Sequence, residues 1–574
     1  MDFSIHSKNE GLTAFISKIS ECNGIAFYKF TAEFDVPQIP KEITLSFKTP
    51  IIDTCLTWNQ SNMFDRSLGT SQSKNSIASR VASQMPLQSL VSPGGKNNVT
   101  VALSDAKTPM QISSGVCEED ALIQWDIQFF TIKISPINHY CAILRIDTRA
   151  VAFYDAVMDT VTWWETECGY TPAPVPEHAM LPMNSLWYSY HQNLDVEDIL
   201  RECRLTKALG METVIIDDGW QTDHIHEGYK SCGDWQVSKS KIPDMRDFVN
   251  RIHDTGMKVM VWFSVPFIGI SSKAYLQFQD MLLDETGDEE TYFSIDPRYK
   301  VCRDYLIEIY ANALSEWNID GLKFDFISRF CLSGKSLEYD PRRDIHSLED
   351  AVARLMTDIT DRLRNIKPDV MIELCQSYGG PAMKKYGTMI RVADCPNDAL
   401  YNRVTGIDIR LTAGRTVVHS DMLMWNPNDT PESVALQLIA ALYCVPQISV
   451  KIATLSEIHK KTLAYYLSFW RENRDILLNG KLSACNPEAM YTIISAEKDG
   501  HAIITAYTPC IQSMDGLQKM TLINACEEPI VILKNAKGKS FRVLDCTGTL
   551  LSSGNVNSDL FEIQVPLSGM AILA

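Results

Sequence analysis

The stretch Gly321-Leu322-Lys323-Phe324-Asp325-Phe326 follows Trp317-Asn318-Ile319-Asp320, and its apolar residues predict a short buried strand that ends beside a carboxylate. Side chains two residues apart on a strand lie on the same side, so we expect Lys323 and Asp325 to be neighbours. A nearby ammonium favours the ionised carboxylate, which is the form that a nucleophile needs. Taken alone, the pattern fits a structural ion pair better than a catalytic group.

Seven further apolar runs alternate with helical patterns such as those over 196–209 and 303–317. The runs lie at 183–188, 212–218, 258–263, 370–375, 389–394, 415–421 and 446–450. Eight strands with helices between them predict an α/β fold with a central (β/α)8 TIM barrel. A doubly wound sheet is less favoured, because no glycine-rich phosphate loop follows any of the strands.

The flanking regions are rich in short alternating runs broken by turn residues, a pattern typical of antiparallel sheets. We therefore predict an N-terminal β-sandwich domain over 1–176, the catalytic barrel over 177–475 and a small C-terminal β-sandwich domain over 476–574. The Ser/Asn/Gly-rich piece over 67–98 is expected to be a long loop that carries little core.

The charge and the cysteine pattern limit the classes of partner. A net charge of -18 over 574 residues argues against nucleic acid or an anionic membrane as a partner and favours a neutral small molecule. Sixteen cysteines without regular spacing predict reduced thiols. The N-terminus has no signal-peptide pattern and no stretch approaches a membrane span, so we expect a cytoplasmic protein; a removed leader and a periplasmic location form the alternative.

Two further motifs follow predicted strands. Asp217-Asp218-Gly219-Trp220-Gln221 follows the second strand, with Gly233-Asp234-Trp235 downstream, and Arg391-Val392-Ala393-Asp394 follows the sixth. Ionised carboxylates accept hydrogen bonds from sugar hydroxyls, and indole faces stack on pyranose rings. An Asp that caps a helix, followed by a core Trp, is the structural alternative.

In this order on a barrel, the three motifs resemble the α-galactosidase (melibiase) clan of retaining glycoside hydrolases, above all glycoside hydrolase family 36, with local echoes of family 27. The resemblance covers about 180–475, and the order of sandwich, barrel and sandwich extends it to the whole chain. It implies an exo-α-glycosidase, most simply an α-galactosidase, that cleaves terminal α-galactosides of oligosaccharides or glycoconjugates by double displacement without a metal or cofactor.

The resemblance also implies residue roles. Asp325 matches the nucleophile and Asp394 the general acid/base, which requires an ionised Asp325 and a raised pKa on Asp394. Asp217 and Asp218 match the pair that holds the O4 and O6 hydroxyls. The remaining expected sugar contacts are Lys323 and Arg391 as hydroxyl ligands, Cys375 beside the 2-position, and Trp187, Trp220, Trp235 and Trp262 as stacking walls.

This chain departs from the family pattern after the nucleophile, where Phe326-Ile327 replaces Met-Asn, and at Cys375-Gln376-Ser377-Tyr378, where the family has Cys-Ser-Gly-Gly-Gly. Three alternatives therefore stay open: an α-N-acetylgalactosaminidase, a transglycosylase of the raffinose-synthase type, and a non-catalytic sugar-binding protein. The resemblance also leaves a homo-oligomer open. Glu373 and His419-Ser420-Asp421 are weaker candidates for lining the site.

Overall fold

The computed structural model describes residues 1–283, 291–375 and 378–574. Its amino-terminal part contains, in chain order, β1 (Phe3–Ser7), β2 (Leu12–Cys22), β3 (Ile25–Gln38), β4 (Ile43–Pro50), β5 (Leu56–Trp58), β6 (Asn75–Ser79), β7 (Leu87–Val91), β8 (Asn97–Leu103), β9 (Met110–Cys117), β10 (Leu122–Phe129) and β11 (Ile137–Asp147). They form two sheets, ordered β1-β4-β10-β9-β6 and β2-β3-β11-β8-β7-β5. The sheets enclose a core that includes Phe30, Leu45 and Trp125, which confirms the predicted sandwich.

The prediction of a long loop over 67–98 is wrong. This segment contains β6 and β7 and buries Val81 and Met85. Its polar residues are compatible with burial because they are hydrogen-bonded: Ser89 Oγ lies 2.8 Å from Thr100 Oγ1, and Gln88 Nε2 donates to the Asn75 carbonyl at 3.1 Å. Satisfied polar side chains therefore concealed two strands in a sequence that reads as hydrophilic.

The central part contains, in chain order, α1 (Phe153–Thr166), β12 (Met183–Ser185), α2 (Trp187–Tyr190), α3 (Val196–Ala208), β13 (Thr213–Ile216), α4 (Met245–His253), β14 (Lys258–Ser264), β15 (Phe267–Gly269), α5 (Lys273–Phe278), β16 (Tyr292–Ser294), α6 (Lys300–Trp317), β17 (Gly321–Asp325), α7 (Leu348–Ile366), β18 (Met371–Leu374), β19 (Met389–Arg391), α8 (Ala399–Ala413), β20 (Val417–Leu423), α9 (Pro431–Ala440), β21 (Val445–Ile448) and α10 (Glu457–Asn479). The parallel strands β12, β13, β14, β17, β18, β19, β20 and β21 form a closed barrel, in which β12 pairs with β21 at Met183 and Gln447. The predicted (β/α)8 barrel is confirmed.

Two details of the barrel differ from the prediction. The first strand ends at Ser185, and Trp187 begins the short helix α2 instead of continuing the strand. Within the described residues between β18 and β19, the chain forms turns rather than a helix. Gly379-Gly380-Pro381 explains this locally, because glycine disfavours a helix and proline lacks the amide hydrogen that a helix interior needs.

The inside of the barrel is divided into an apolar end and a charged end. Methionines and Ile215 fill the amino-terminal end; the methionines are Met183, Met260, Met371 and Met389. Gly321 leaves space there, because a Cβ at this position would lie 2.5 Å from the Met371 carbonyl oxygen. Charged and polar side chains fill the carboxyl end, where the loops that follow the strands can reach them.

The carboxyl-terminal part contains β22 (Lys481–Cys485), β23 (Ile493–Lys498), β24 (His501–Ala506), β25 (Ile511–Ser513), β26 (Lys519–Asn524), β27 (Ile530–Lys534), β28 (Ser540–Leu544), β29 (Leu550–Asn555), β30 (Leu560–Gln564) and β31 (Met570–Leu573). Their sheets are ordered β22-β23-β24-β26-β31-β28-β29 and β25-β27-β30. The domain boundaries at 176 and 475 stay predictions, and α10 continues past 475 to Asn479. Among the residues described, no helix combines the length and the apolarity needed to cross a membrane.

A buried polar cluster joins the three parts. Arg66 of the first sandwich contacts Asp408 of α8 at 2.9 Å, and Trp58 Nε1 donates to Asp408 at 3.0 Å and to Tyr491 Oη at 2.8 Å. Arg66 also donates to the Pro487 carbonyl at 2.9 Å. These contacts tie the amino-terminal sandwich to the outer helix α8 of the barrel and to Pro487 and Tyr491 of the carboxyl-terminal part.

Candidate active site

Asp325 lies at the carboxyl end of β17 and is only 6% exposed. Its Oδ2 accepts a hydrogen bond from Trp262 Nε1 at 3.1 Å, and its Oδ1 accepts one from the Phe326 backbone amide at 2.8 Å. Phe326 has a φ of +63°, a left-handed conformation that is uncommon for a bulky residue and that directs this amide at the carboxylate. Burial raises the pKa of Asp325 above its ordinary value, while Lys323, the Trp262 hydrogen bond and Arg391 oppose the rise.

Lys323 lies on the same side of β17 as Asp325 and is 2% exposed. Its Nζ contacts Asp217 Oδ2 at 2.6 Å, and Asp217 Oδ1 accepts a hydrogen bond from the Asp218 amide at 2.9 Å. Asp217 therefore forms a buried ion pair at the barrel rim rather than a helix cap. The pair joins the second and fourth barrel strands.

Asp218 is held by two amide side chains. Gln192 Nε2 donates to its Oδ2 at 2.8 Å, and Gln221 donates to its Oδ1. Burial raises the pKa of Asp218 to about 6, although both hydrogen bonds favour the ionised form. Gly219 is required beside it, because its φ is +116° and a Cβ there would lie 2.5 Å from the Gln192 Cα.

Arg391 is a cation surrounded by acidic partners, and its side chain is 1% exposed. Its Nη2 donates to Asp394 Oδ1 at 2.7 Å and to Cys375 Sγ at 2.6 Å, while its Nη1 pairs with Asp421. Its Nε lies 3.6 Å from Glu373 Oε1. One guanidinium thus links the ends of β18, β19 and β20.

Asp394 differs from Asp325 in exposure, since 46% of its side chain is accessible. Burial opposes its ionisation, but the charges of Arg391 and Lys323 and the Arg391 hydrogen bond outweigh burial and hold the pKa of Asp394 below its ordinary value. The structural alternative for Asp394 does not apply, because Asp398 is the residue that caps α8, through the Tyr401 amide at 2.9 Å.

These directions are opposite to those expected from the sequence. Asp325 has the raised pKa, and Asp394 has the lowered one. The reason is the placement of the two cations: Lys323 forms its short contact with Asp217, and Arg391 forms its contact with Asp394. Asp325 is left with neutral hydrogen-bond donors.

The four predicted stacking tryptophans occupy different environments. Trp220 is 0% exposed, donates to the Trp262 carbonyl at 2.9 Å and stacks on Trp235, which is also buried. As placed, neither indole presents a face to a sugar, so both are core residues. Trp262 is equally buried, at 2% exposed, and reaches Asp325 through its Nε1 while its ring stacks on Tyr229. Trp187 is half-buried and packs its edge against His191.

Cys375 is fully buried beside Arg391, at the end of β18. Tyr378 is also fully buried, and its hydroxyl donates to the Phe324 carbonyl at 2.6 Å while it accepts a hydrogen bond from the Cys375 amide at 3.2 Å. Gln376 and Ser377 of this motif lie outside the described residues. Tyr378 therefore fills space between β17 and β18, next to the carboxylate of Asp325.

Sequence reasoning missed two residues of the site. Tyr188 donates to Asp421 Oδ2 at 2.9 Å, and Gln192 orients Asp218. Both follow the first barrel strand, and the expectation that this strand continued to residue 188 concealed the role of Tyr188. Asp421, treated above as a weak candidate, is a direct partner of Arg391.

The melibiase family model matches residues 178–480, and the chain belongs to that family. Among curated proteins, α-galactosidase 1 of Pediococcus pentosaceus is 23% identical over 333 residues, which cover 55% of this chain and 45% of that protein. α-Galactosidase AgaA of Geobacillus stearothermophilus is 27% identical over 211 residues, covering 35% of this chain and 28% of that protein. The chain thus matches less than half the length of these curated relatives.

The architecture is also similar to that of a solved variant of this AgaA, a glycoside hydrolase family 36 α-galactosidase, in complex with 1-deoxygalactonojirimycin. The TM-score is 0.67 at 15% identity, with 98% of this chain and 81% of that one covered. Another AgaA variant, in complex with raffinose, has the same score and coverage. At this identity the likeness establishes the fold, a TIM barrel between β-sandwich domains.

Proposed function

We propose that this protein is a retaining exo-α-glycosidase, namely an α-galactosidase that hydrolyses terminal α-D-galactosides. One observation carries the proposal: two carboxylates lie at the same rim of the barrel, Asp325 as the last residue of β17 and Asp394 after β19, and the field of Arg391 acts on both. Membership of the melibiase family supports the choice of galactose.

The proposed reaction has two displacements. Asp325 attacks the anomeric carbon while Asp394 donates a proton to the glycosidic oxygen, so the bond to the leaving group breaks as the glycosyl ester forms. Asp394 then removes a proton from water, which attacks the same carbon and releases Asp325. Two inversions give retention, and the carboxyls must work about 5–5.5 Å apart.

The ground state must change before the first displacement, because Asp394 is paired with Arg391 and its pKa is lowered. We infer that Arg391 transfers a hydrogen bond from Asp394 to a sugar hydroxyl when the substrate enters. The loss of this cationic partner raises the pKa of Asp394 and lets it hold the proton that it must donate. Asp421 and Glu373 then continue to hold the guanidinium in place.

The glycone would be held by the charged rim. Asp217 and Asp218 are proposed to accept hydrogen bonds from O4 and O6, and Lys323 and Arg391 to donate to the ring hydroxyls. Trp262 is proposed to act through its N–H on the nucleophile, because its ring is buried against Tyr229. The half-buried Trp187 stays the proposed stacking residue, and Cys375 is proposed to lie beside the 2-position. α-Galactosyl oligosaccharides or glycoconjugates are the proposed substrates; the raffinose complex of AgaA supports the first of these classes.

The buried Tyr378 bears on the main rival, an α-N-acetylgalactosaminidase. Its hydroxyl lies against the Cys375 amide, and its ring is bulkier than the glycine that the family pattern has at this position. We propose that this bulk leaves less room for an acetamido group at the 2-position and so favours a free 2-hydroxyl. A transglycosylase would share the first displacement and would be recognised by oligosaccharide products at high donor concentration.

The test is release of nitrophenol from the α-galactoside, α-N-acetylgalactosaminide, α-glucoside and β-L-arabinopyranoside by the wild type and Asp325→Ala. We expect turnover of the α-galactoside that disappears in the variant, whereas Asp304→Ala, a change at an exposed ion pair of α6, serves as the matched control and retains it. Full activity of Asp325→Ala would refute the assignment of Asp325 as the nucleophile. If the folded wild type hydrolyses none of the four substrates, the result would favour a sugar-binding protein.

A further inference from the structure

Tyr229 belongs to the loop that follows β13, and its half-buried ring lies beside the residues that hold the proposed nucleophile. The ring stacks on Trp262, with the ring centroids 6.1 Å apart, and meets the ring of Phe326 edge to face at 5.2 Å. Trp262 Nε1 and the Phe326 amide both donate hydrogen bonds to Asp325. Tyr229 therefore packs against two of the residues that position this carboxylate.

The backbone around Tyr229 is tied to the group that holds Asp218. Gln192 Nε2 donates to Asp218 Oδ2 at 2.8 Å and to the Gly228 carbonyl, which directly precedes Tyr229, at 3.3 Å. On the other side, β15 approaches the loop so closely that a Cβ at Gly269 would lie 2.5 Å from the Tyr229 carbonyl oxygen. The position of Tyr229 is therefore set by the partner of Asp218 and by β15.

The hydroxyl of Tyr229 makes no hydrogen bond to any residue within the described ranges. Burial raises the pKa of Tyr229, and the charges of Asp325, Asp218 and Asp217 add to the rise. The phenol therefore keeps its proton, and it lies within the field of the carboxylates at both ends of the proposed glycone site. It is an uncommitted donor among groups that accept hydrogen bonds.

A sugar hydroxyl needs such a donor. An ionised carboxylate only accepts hydrogen bonds, so a hydroxyl that donates to Asp217 or Asp218 still has lone pairs to be satisfied. In the proposed complex C1 lies at Asp325, the 2-position at Cys375, and O4 and O6 at Asp217 and Asp218. The edge that runs from C1 through the ring oxygen to C6 is then left for a group between the nucleophile and Asp218, as Tyr229 is.

We propose that Tyr229 is a further substrate-binding residue, whose phenol donates a hydrogen bond to O6 of the galactosyl unit and so selects sugars that carry a 6-hydroxyl. The inference rests on the proposed function, which supplies the placement of C1 at Asp325 and of O6 at the paired carboxylates. A 6-deoxy sugar leaves the phenol without its acceptor, and a buried polar group without a partner lowers affinity.

The test uses two nitrophenyl glycosides that differ by one oxygen, the α-D-galactoside and its 6-deoxy analogue. In the wild type, kcat/KM for the galactoside should exceed that for the 6-deoxy sugar about tenfold or more. Tyr229→Phe should lose about tenfold on the galactoside and hydrolyse the 6-deoxy sugar at close to the wild-type rate, so the ratio falls about tenfold. The variant keeps the ring and removes no hydrogen bond within the described residues, so its thermal midpoint should match that of the wild type.

Tyr305→Phe is the matched control, because the Tyr305 hydroxyl donates to the Gly233 carbonyl of the same loop at 2.9 Å. It should keep the wild-type ratio between the two sugars. A wild-type ratio near one, a ratio unchanged in Tyr229→Phe, or equal losses on both sugars would overturn the assignment of Tyr229. Failure of the proposed function is distinguishable and would overturn the inference with it, because a folded wild type would then hydrolyse neither glycoside.

Discussion

Nη2 of Arg391 lies 2.7 Å from Oδ1 of Asp394, so the proposed general acid is paired with a buried cation before any substrate is present. The pairing lowers the pKa of Asp394, so a substitution of Arg391 should change the pH range in which Asp394 is protonated. The pH profile of kcat/KM reports the pKa values of catalytic groups in the free enzyme, so it should depend on this ion pair.

Arg391→Met should move both limbs of the kcat/KM profile to higher pH. The guanidinium lowers the pKa of Asp394 and that of Asp325, so its loss raises the pKa of both carboxyls. Arg391→Lys, which retains the charge, should shift both limbs less. The measurement is the pH profile with an alkyl α-galactoside; an unmoved or lowered limb in Arg391→Met would contradict the pairing.

Asp394→Ala should slow substrates according to their need for a proton. We expect a loss of about a hundredfold or more in kcat/KM for alkyl α-galactosides, the magnitude that general acid catalysis commonly contributes. Dinitrophenyl α-galactoside, whose leaving group needs no proton, should lose far less in this step. Equal losses on both substrates would remove Asp394 from the acid role.

Trp262→Phe should move the alkaline limb of the kcat/KM profile to higher pH. The indole donates to Asp325, and removal of a hydrogen bond to the ionised form raises the pKa of that carboxyl. Because Asp325 has the raised pKa and Asp394 the lowered one, the alkaline limb follows the pKa of Asp325. We also expect a decrease of about tenfold in kcat, consistent with a lost hydrogen bond to a charged group.

Trp220→Phe is the control for this change, because its indole donates to the Trp262 carbonyl and makes no contact with Asp325. Trp220→Phe should lower the thermal midpoint without moving the alkaline limb. A limb that moves equally in both variants would mean that the shift follows from repacking of the aromatic core.

Asp320→Asn should destabilise the folded protein at neutral pH by on the order of 2 kcal/mol. Asp320 precedes β17 and contacts His253 Nε2 at 2.7 Å and Lys367 Nζ at 2.8 Å. Burial opposes ionisation, but these partners and the Val259 amide depress the pKa of Asp320 well below its ordinary value.

The sign of the pH dependence follows from that depressed pKa. The stabilisation by Asp320 is fully present above the unfolded pKa of about 4 and is lost as the pH falls below it, through the folded pKa. The stability difference between wild type and Asp320→Asn, measured by denaturant unfolding, should therefore shrink on acidification. A difference that stays constant from pH 7 to pH 3 would refute this account.

The barrel and the motif positions could be predicted because they depend on local patterns. Asp217 follows an apolar strand, whereas Lys323 and Asp325 lie on β17 and Arg391 ends β19. Parallel strands of a barrel bring their carboxyl ends to one rim. The same logic identified Asp394 as a rim residue.

The partners of these residues could not be predicted, because they depend on contacts between distant segments. Nothing local to Arg391 indicates that it pairs with Asp394 and Asp421 while Lys323 pairs with Asp217, and this choice sets the pKa directions. The sequence also does not show whether Trp220 and Trp235 line the site or fill the core. A tryptophan after a strand can do either, and the outcome depends on its packing against residues that are distant in sequence.

The most direct test of the central claim is to trap the glycosyl-enzyme. The protein is incubated with 5-fluoro-α-galactosyl fluoride and digested, and the labelled peptide is located by tandem mass spectrometry. We predict one adduct per chain, on Asp325, with loss of activity in proportion to labelling. A label on another carboxylate, or continued turnover of the α-galactoside by fully labelled protein, would contradict the assignment of Asp325 as the nucleophile.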